Sequence, residues 1–160
     1  MNMFRIGQSY DIHQLAPDQE LILGGIKIDS DLGTIAHSDG DVLVHVIIES
    51  IIGALALGDI GCLYPDTDQQ YKDVCSLELL KDTIKRMEDK GYKINNIDCS
   101  IYLQTPKLRP YIEQMRNILK DIMHIDIEQI NIKATRGEGI GFIGRKEGIA
   151  AEAVVLLTND

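Results

Sequence analysis

The chain is 160 residues long, 44% hydrophobic, and carries a formal charge of −9 with a pI near 4.8. That length supports one well-formed core and gives no reason for a second domain, so residues 1–160 are expected to form a single unit. The acidic balance argues against a non-specific binder of nucleic acid or anionic membranes, which needs a basic face; an anionic ligand has to be held by a local site.

The opening runs without a charged-then-apolar leader into "MFRIGQSYDIHQL", residues 3–15, which reads as a strand, so a cytoplasmic protein is expected. Side chains alternate across a strand, so Asp11 and His13 project from one face. They can converge on a metal ion or simply hydrogen-bond to each other. "ELILGGIKI" predicts a hairpin turning at Gly24 and Gly25, because Gly-Gly supplies the positive φ of a tight turn. Residues 29–41, "DSDLGTIAHSDGD", read as a polar loop whose Ser38, Asp39 and Asp41 are suited to cap the helix that follows. That helix, "VLVHVIIESIIGALALG" (42–58), falls short of a membrane span and contains His45 and Glu49. It is expected to be buried nearly all round, in part against another subunit.

Residues 58–75 are rich in Gly, Pro and Asp and follow neither apolar period, which predicts a long loop of the kind that is often functional. "SLELLKDTIKRMEDKGY" (76–92) spaces Leu77, Leu80, Ile84 and Met87 as an amphipathic helix, with Ser76 as N-cap and Gly91 just past its end. A strand "NIDCSIYLQ" (96–104) and a second amphipathic helix "TPKLRPYIEQMRNILKDIM" (105–123), led in by Pro110, come next. The strands "INIKAT" (130–135) and "IAAEAVVLL" (149–157) flank the glycine-rich, charged "RGEGIGFIGRKEG" (136–148). Cys62, Cys75 and Cys99 make neither a CxxC pair nor an even framework and read as reduced, mostly structural thiols.

His45, one of four histidines, stands on an otherwise apolar helix one turn after Asp41. It reads either as a satisfied core histidine or as the third member of a set with Asp11 and His13. Such a set is a three-ligand Zn²⁺ site with its fourth position open. "HSDGD" offers His37, Ser38 and the free N–H groups of a helix start to an anion, or else only caps that helix. The carboxylates of "YPDTD" suit sugar or polyol hydroxyls, or merely solvate a loop. "KATRGEGIGFIGR" places Lys133, Thr135, Arg136 and Arg145 on flexible backbone, like a phosphate cradle that does not match the P-loop pattern. Glu138 within it is an oxygen donor of the kind Mg²⁺ takes together with phosphate oxygens.

Taken in order, "SYDIH", "AHSDGDVLVH", "GALALGDIGCLYPDTD", "YLQTPKLRPYI" and "NIKATRGEGIGFIGRKEGIAAEAVVLL" resemble the 2-C-methyl-D-erythritol 2,4-cyclodiphosphate synthases over nearly the whole chain. The resemblance implies an α/β fold, an α+β two-layer sandwich in which a mixed β-sheet has helices packed on one face. It also implies assembly as a homotrimer with active sites at the subunit boundaries. The implied activity is that of a lyase in the non-mevalonate isoprenoid pathway, housed in the bacterial cytoplasm, or in a plastid if a transit peptide has been removed. The 2-phosphate of 4-diphosphocytidyl-2-C-methyl-D-erythritol 2-phosphate attacks the β-phosphorus of its diphosphate, giving the cyclic diphosphate and releasing CMP. No nucleic-acid or membrane partner is implied.

By position, the resemblance makes Asp11, His13 and His45 ligands of Zn²⁺, and Glu138 a contact of Mg²⁺ or Mn²⁺ between the substrate phosphates. His37 and Ser38 fall at the phosphate and erythritol portion, and Tyr64, Pro65, Asp66, Thr67 and Asp68 at the erythritol end. Asp59, Ile60 and Gly61 correspond to ribose and erythritol contacts. Leu103, Gln104, Thr105, Pro106, Lys107, Leu108 and Arg109 correspond to the cytidine and phosphate pocket, together with Ala134, Thr135, Arg136 and Gly137. Phe142 and Arg145 fall near the trimer axis, where the family can hold an isoprenoid diphosphate.

The attack of one phosphate on another calls for charge neutralisation and alignment, which two cations and backbone donors supply. A base is scarcely required, because the attacking phosphate is already ionised at neutral pH. Two positions depart from the family pattern. Arg136 replaces a second threonine after KAT, which is taken to steady the transition state with the histidine of HSDGD, here His37. Its guanidinium either takes phosphate charge directly, which is the expectation, or swings away. Ser9 replaces the second glycine of the opening motif and is expected to tighten a turn without touching the ligands.

Overall fold

A computed structural model describes residues 3–71 and 73–160. In chain order its elements are β1 (Phe4–Pro17), β2 (Leu21–Leu23), β3 (Ile26–Ile28), β4 (Leu32–Thr34), α1 (Val42–Ala54), α2 (Ile60–Leu63) and α3 (Ser76–Asp89). Then follow β5 (Lys93–Tyr102), α4 (Arg109–Met123), β6 (Ile130–Thr135), α5 (Gly141–Gly144) and β7 (Gly148–Thr158). Five strands form a sheet in the order β4-β1-β7-β5-β6. β1 and β7 pair antiparallel from Phe4↔Thr158 to Gln14↔Gly148, and β7 pairs antiparallel with β5. β5 and β6 run parallel, a pairing that needs the long connection α4 provides. The sheet is mixed, as expected.

Burial divides the sheet into two faces. Gly7 and Ser9 of β1, and Ile149, Ala151, Ala153, Val155 and Leu157 of β7, are buried on the side where α1 lies across both strands. α3 packs behind α1 and α4 against β6, so α1 is enclosed on every side, which is why its sequence is apolar almost throughout. Where α1 crosses β1 the two backbones nearly touch. A Cβ at Gly7 would stand 1.8 Å from the Ser50 carbonyl oxygen and 2.9 Å from Ala54 Cβ, an approach only glycine allows. On the other face of the sheet Phe4, Ile6, Tyr10 and Ile12, all even positions of β1, stand exposed beside Val154 of β7.

The hairpin of β2 and β3 turns through Gly24 and Gly25, whose φ angles of 57° and 78° match the predicted tight turn. Other boundaries move for local reasons. Residues 29–41, read as loop, contain β4, which pairs with Leu15–Pro17 but is too short to show an alternation. α1 stops at Ala54 rather than Gly58, since Ala56 and Gly58 turn to positive φ. The segment 58–75 holds α2 and a 3-10 turn at Gln69–Tyr71, and the glycine-rich segment holds α5. These turns are only three or four residues long, about one helical period, too short to show a repeating pattern. β5 begins at Lys93, before the predicted strand, and α4 begins at Arg109, with Pro110 in its first turn. Among the described residues no helix is long and apolar enough to cross a membrane.

Candidate active site

The pairing of β1 with β7 holds Asp11 and His13 on one strand, and α1 carries His45 up to them across the buried face. One donor atom from each of the three lies within 4.8 Å of the others, so the set can hold a metal ion. His13 Nε2 is 3.0 Å from Asp11 Oδ2, His45 Nδ1 is 3.8 Å from the same oxygen, and the two rings meet edge to face at 5.2 Å.

Hydrogen bonds on the far side of each ring fix its orientation. His13 Nδ1 donates to the Gly40 carbonyl at 3.0 Å, which turns the Nε2 edge of the ring toward the cluster. His45 Nε2 is 3.0 Å from Ser76 Oγ, leaving Nδ1 for the cluster. Burial disfavours the Asp11 carboxylate but is outweighed by hydrogen bonding to His13 and the nearness of the His45 ring, and its pKa lies well below the usual carboxylate range. For His13 burial works against the charged ring, yet the hydrogen bond and charge of Asp11, with the Gly40 carbonyl, raise its pKa above the ordinary value.

His13 and His45 form part of the wall of a cleft of about 700 Å³ whose other lining residues are Ile35, Ala36, His37, Ser38, Asp66, Tyr71 and Asp73. His37, Ser38 and Asp66 were expected at the site; Ile35, Ala36, Tyr71 and Asp73 were not. Tyr64 is placed differently from Asp66. Its ring is buried and its hydroxyl donates to Asp82 at 2.8 Å, so only its backbone is free to meet a ligand. Asp68 accepts from Gln70 N–H at 3.0 Å and shapes the 3-10 turn. Asp59 caps α2 by accepting from Cys62 N–H at 2.9 Å.

A second cleft, of about 540 Å³, shares no lining residue with the first. Leu103, Pro106, Lys107, Leu108 and Arg109 line it together with Ile112, Ile132, Lys133, Ala134, Thr135 and Arg136. It gathers the cationic side chains of Lys107, Arg109, Lys133 and Arg136 on an acidic protein. Arg136 Nε donates to the Gln104 carbonyl at 3.1 Å, so the guanidinium is tethered to the cleft instead of swinging away. The Gln104 side-chain oxygen accepts from Gly137 N–H at 3.1 Å and Gly139 N–H at 3.4 Å, and thereby shapes the loop that carries Glu138. Glu138 is exposed there, outside the Asp11, His13 and His45 group. Farther along, Arg145 is engaged with Glu147 by two hydrogen bonds of 2.8 and 3.2 Å, and Phe142 is half-buried beside it.

Two polar arrangements correct the sequence reading. Ser9 lies within β1, not in a turn; it is 5% exposed and donates to Glu49 Oε2 at 2.8 Å, giving the one acidic residue of α1 a partner. Glu49 Oε1 in turn accepts from Ile60 N–H at 3.4 Å, which ties the start of α2 to the strand bearing Asp11. Ser76 is the first residue of α3 and not its N-cap; the acceptor for its N–H, at 2.8 Å, is Asp39 Oδ2 from the loop before α1. Asp39 therefore serves a different helix from the one expected, and Asp41 alone caps α1.

Residues 4–158 match the model of the YgbB family. The chain is 52% identical, over 96% of its length and 95% of the relative's, to the 2-C-methyl-D-erythritol 2,4-cyclodiphosphate synthase of Clostridioides difficile (strain 630). In three dimensions it resembles the bifunctional IspDF of Campylobacter jejuni, with a TM-score of 0.93 and 40% identity; 99% of this chain is covered, but only 43% of that longer one. It also resembles the CDP complex of Plasmodium falciparum IspF, with a TM-score of 0.86 and 35% identity over 98% of this chain and 97% of that one. A full-length family match, half-identical relatives and an Asp-His-His cluster on the expected elements lead to one conclusion: the chain belongs to the YgbB family.

Proposed function

We propose that this chain converts 4-diphosphocytidyl-2-C-methyl-D-erythritol 2-phosphate to 2-C-methyl-D-erythritol 2,4-cyclodiphosphate and CMP, as a lyase of the non-mevalonate isoprenoid pathway. The observation that carries the reading is the 52% identity to a synthase of that name over 96% of the chain, with the three-residue metal cluster assembled at the wall of a cleft. A phosphate oxygen forms a bond to the β-phosphorus, and the bond from that phosphorus to the bridging oxygen breaks, so CMP leaves with the bridging oxygen.

The donor set fits a divalent metal ion: two imidazole nitrogens, each ring oriented by a hydrogen bond on its far side, and one carboxylate are the ligands zinc takes in open sites. Asp11, His13 and His45 would hold Zn²⁺ and Glu138 would hold Mg²⁺ or Mn²⁺ with the substrate phosphates, and these ions supply positive charge to the diphosphate. The protein's own groups align the reactants. His37 and Ser38 face the phosphate and erythritol portion in the metal cleft, which Asp66 also lines. Asp59, Ile60 and Gly61, the Tyr64 backbone, Pro65, Thr67 and Asp68 border the sugar end. Lys107, Arg109, Thr135 and Arg136 hold the nucleotide half in the basic cleft.

Arg136 departs from the family pattern at this position. Its Nε is held by the Gln104 carbonyl, so the terminal N–H groups remain for phosphate. A charge-assisted hydrogen bond of this kind contributes about 1.5–3 kcal/mol. Arg136→Ala is therefore expected to lower kcat/KM for CMP release by roughly ten- to a hundredfold. The direct test of the function is to incubate the protein with the cytidyl substrate and metal ions and identify the products by ³¹P NMR. CMP and cyclic diphosphate in equal amounts support the reading; free inorganic phosphate or a linear product overturns it.

We infer a homotrimer from the exposed sheet face. Ile6 is 71% and Phe4 63% exposed on an ordered strand, next to Tyr10, Ile12 and Val154, an apolar patch that suits burial against copies of the same face. Such an assembly sets the metal cleft of one subunit beside the basic cleft of the next, joining two sites that are separate within one chain. Phe142 and Arg145 then lie toward the axis, where an isoprenoid diphosphate would compete with Glu147 for the guanidinium. Ile6→Asp is expected to convert a species of three times 17.9 kDa into monomers in sedimentation velocity, with CMP release lost in parallel.

A further inference from the structure

Behind His45 runs a chain of groups to which the reaction assigns no part. Ser76 is 0% exposed, and its hydroxyl lies 3.0 Å from His45 Nε2 and 2.5 Å from Asp39 Oδ1. An ionised carboxylate only accepts, so the Ser76 hydroxyl donates to Asp39, and its oxygen is left to accept from His45 Nε2–H. The directions of the two bonds are thus forced by Asp39. The carboxylate is itself fixed from three sides, by Ser76 Oγ, by Ser76 N–H at 2.8 Å and by Asp41 N–H at 3.2 Å.

We infer that Ser76 and Asp39 form a positioning relay that holds His45 in the Nε2–H tautomer, so that Nδ1 is the atom offered to the metal cluster. The relay rests on the reading that Asp11, His13 and His45 hold a divalent ion. Two features make it more than a local contact. First, it joins three separate pieces of chain: the loop before α1, the body of α1 and the first residue of α3. Second, Ser76 directly follows the segment whose Asp66, Tyr71 and Asp73 wall the metal cleft. The orientation of a metal ligand is thereby joined to the anchoring of the wall that faces it. Removing the hydroxyl leaves the carboxylate no path to His45, and the ring is free to turn or to take the other tautomer.

The test uses Ser76→Ala, which keeps the backbone N–H that Asp39 caps, so α3 retains its start. Long-range ¹H–¹⁵N spectra of the metal-free protein report the His45 tautomer. Titration with Co²⁺, followed by visible absorption, reports the site's affinity and geometry. The wild-type protein is expected to show one Nε2–H tautomer. Ser76→Ala is expected to show a mixture, to bind Co²⁺ roughly ten- to a hundredfold more weakly, and to change the absorption envelope. Ser76→Thr, which restores a hydroxyl, is expected to recover the single tautomer. A Ser76→Ala protein with an unchanged tautomer and Co²⁺ affinity within twofold of wild type overturns the relay while leaving the metal reading intact. A wild-type protein that takes up no Co²⁺ overturns the metal reading and the relay with it.

Discussion

His45→Ala is expected to abolish CMP release while the chain stays folded. His45 is the only member of the cluster contributed by α1, and its loss leaves Asp11 and His13 as a two-ligand remnant on one strand. Two ligands do not retain Zn²⁺ at the concentrations a catalytic site meets, and the phosphates then come together without the cation that offsets their charge. Lewis-acid stabilisation contributes several kcal/mol, so a loss of at least about a thousandfold in kcat is expected. The fold is spared because the His45 side chain is partly open to the cleft and alanine is a better helix former. Metal content by mass spectrometry and turnover should fall together, with the circular dichroism spectrum unchanged. Near-normal turnover in a metal-free His45→Ala protein would rule out a catalytic role for the cluster.

Asp41→Ala is expected to act on stability, and more strongly than any other single change near the site. Asp41 is 1% exposed and accepts from Val44 N–H at 3.1 Å as the N-cap of α1, and from Gly24 N–H at 3.0 Å and Gly25 N–H at 2.8 Å in the hairpin turn. Truncation leaves three N–H donors, two of them buried, without partners, and with the lost cap the cost is about 3–5 kcal/mol, a large part of a domain's stability. The pH dependence has a definite sign. Burial pushes the Asp41 carboxyl up to about 6 from 3.8, against the pull of the three N–H groups. The folded protein therefore binds this proton before the unfolded chain does. The group's contribution is full below the unfolded value and declines as pH rises through about 6. The stability gap between wild type and Asp41→Ala in urea should be about 1 kcal/mol larger at pH 5 than at pH 8. A gap that widens with rising pH would show that the N–H groups, not burial, govern this carboxyl.

Much of this arrangement is legible in the sequence, and the illegible part has a common cause. The alternation of β1, the apolar run of α1 and the period of α3 are local patterns, and they located Asp11, His13 and His45 on the elements that carry them. The Gly24-Gly25 turn was equally plain, since its chemistry is contained in two residues. By contrast Asp39 and Ser76 each looked like the cap of the helix next to it. Only tertiary packing brings a carboxylate 37 residues upstream to the start of α3. Ser9 misled for the same reason: its partner Glu49 is 40 residues away, and nothing in the motif around Ser9 points to it. Tyr71 and Asp73 reach the cleft through a 3-10 turn that leaves no periodic trace, and the Tyr64 ring is claimed by Asp82 of α3.

The contact at Gly7 reaches beyond packing. Its absent side chain sets how closely α1 approaches β1, and those two elements carry the two halves of the metal cluster. A methyl group at position 7 would have to push the Ser50 carbonyl away by more than about 1 Å to reach ordinary contact, and His45 rides on the same helix. Coordination bonds tolerate only about 0.2 Å. Gly7 thus acts as a spacer that sets, from four residues up the strand, how far His45 stands from Asp11 and His13. A substitution there could leave a protein that folds and binds nucleotide and yet is gauged for the wrong ionic radius.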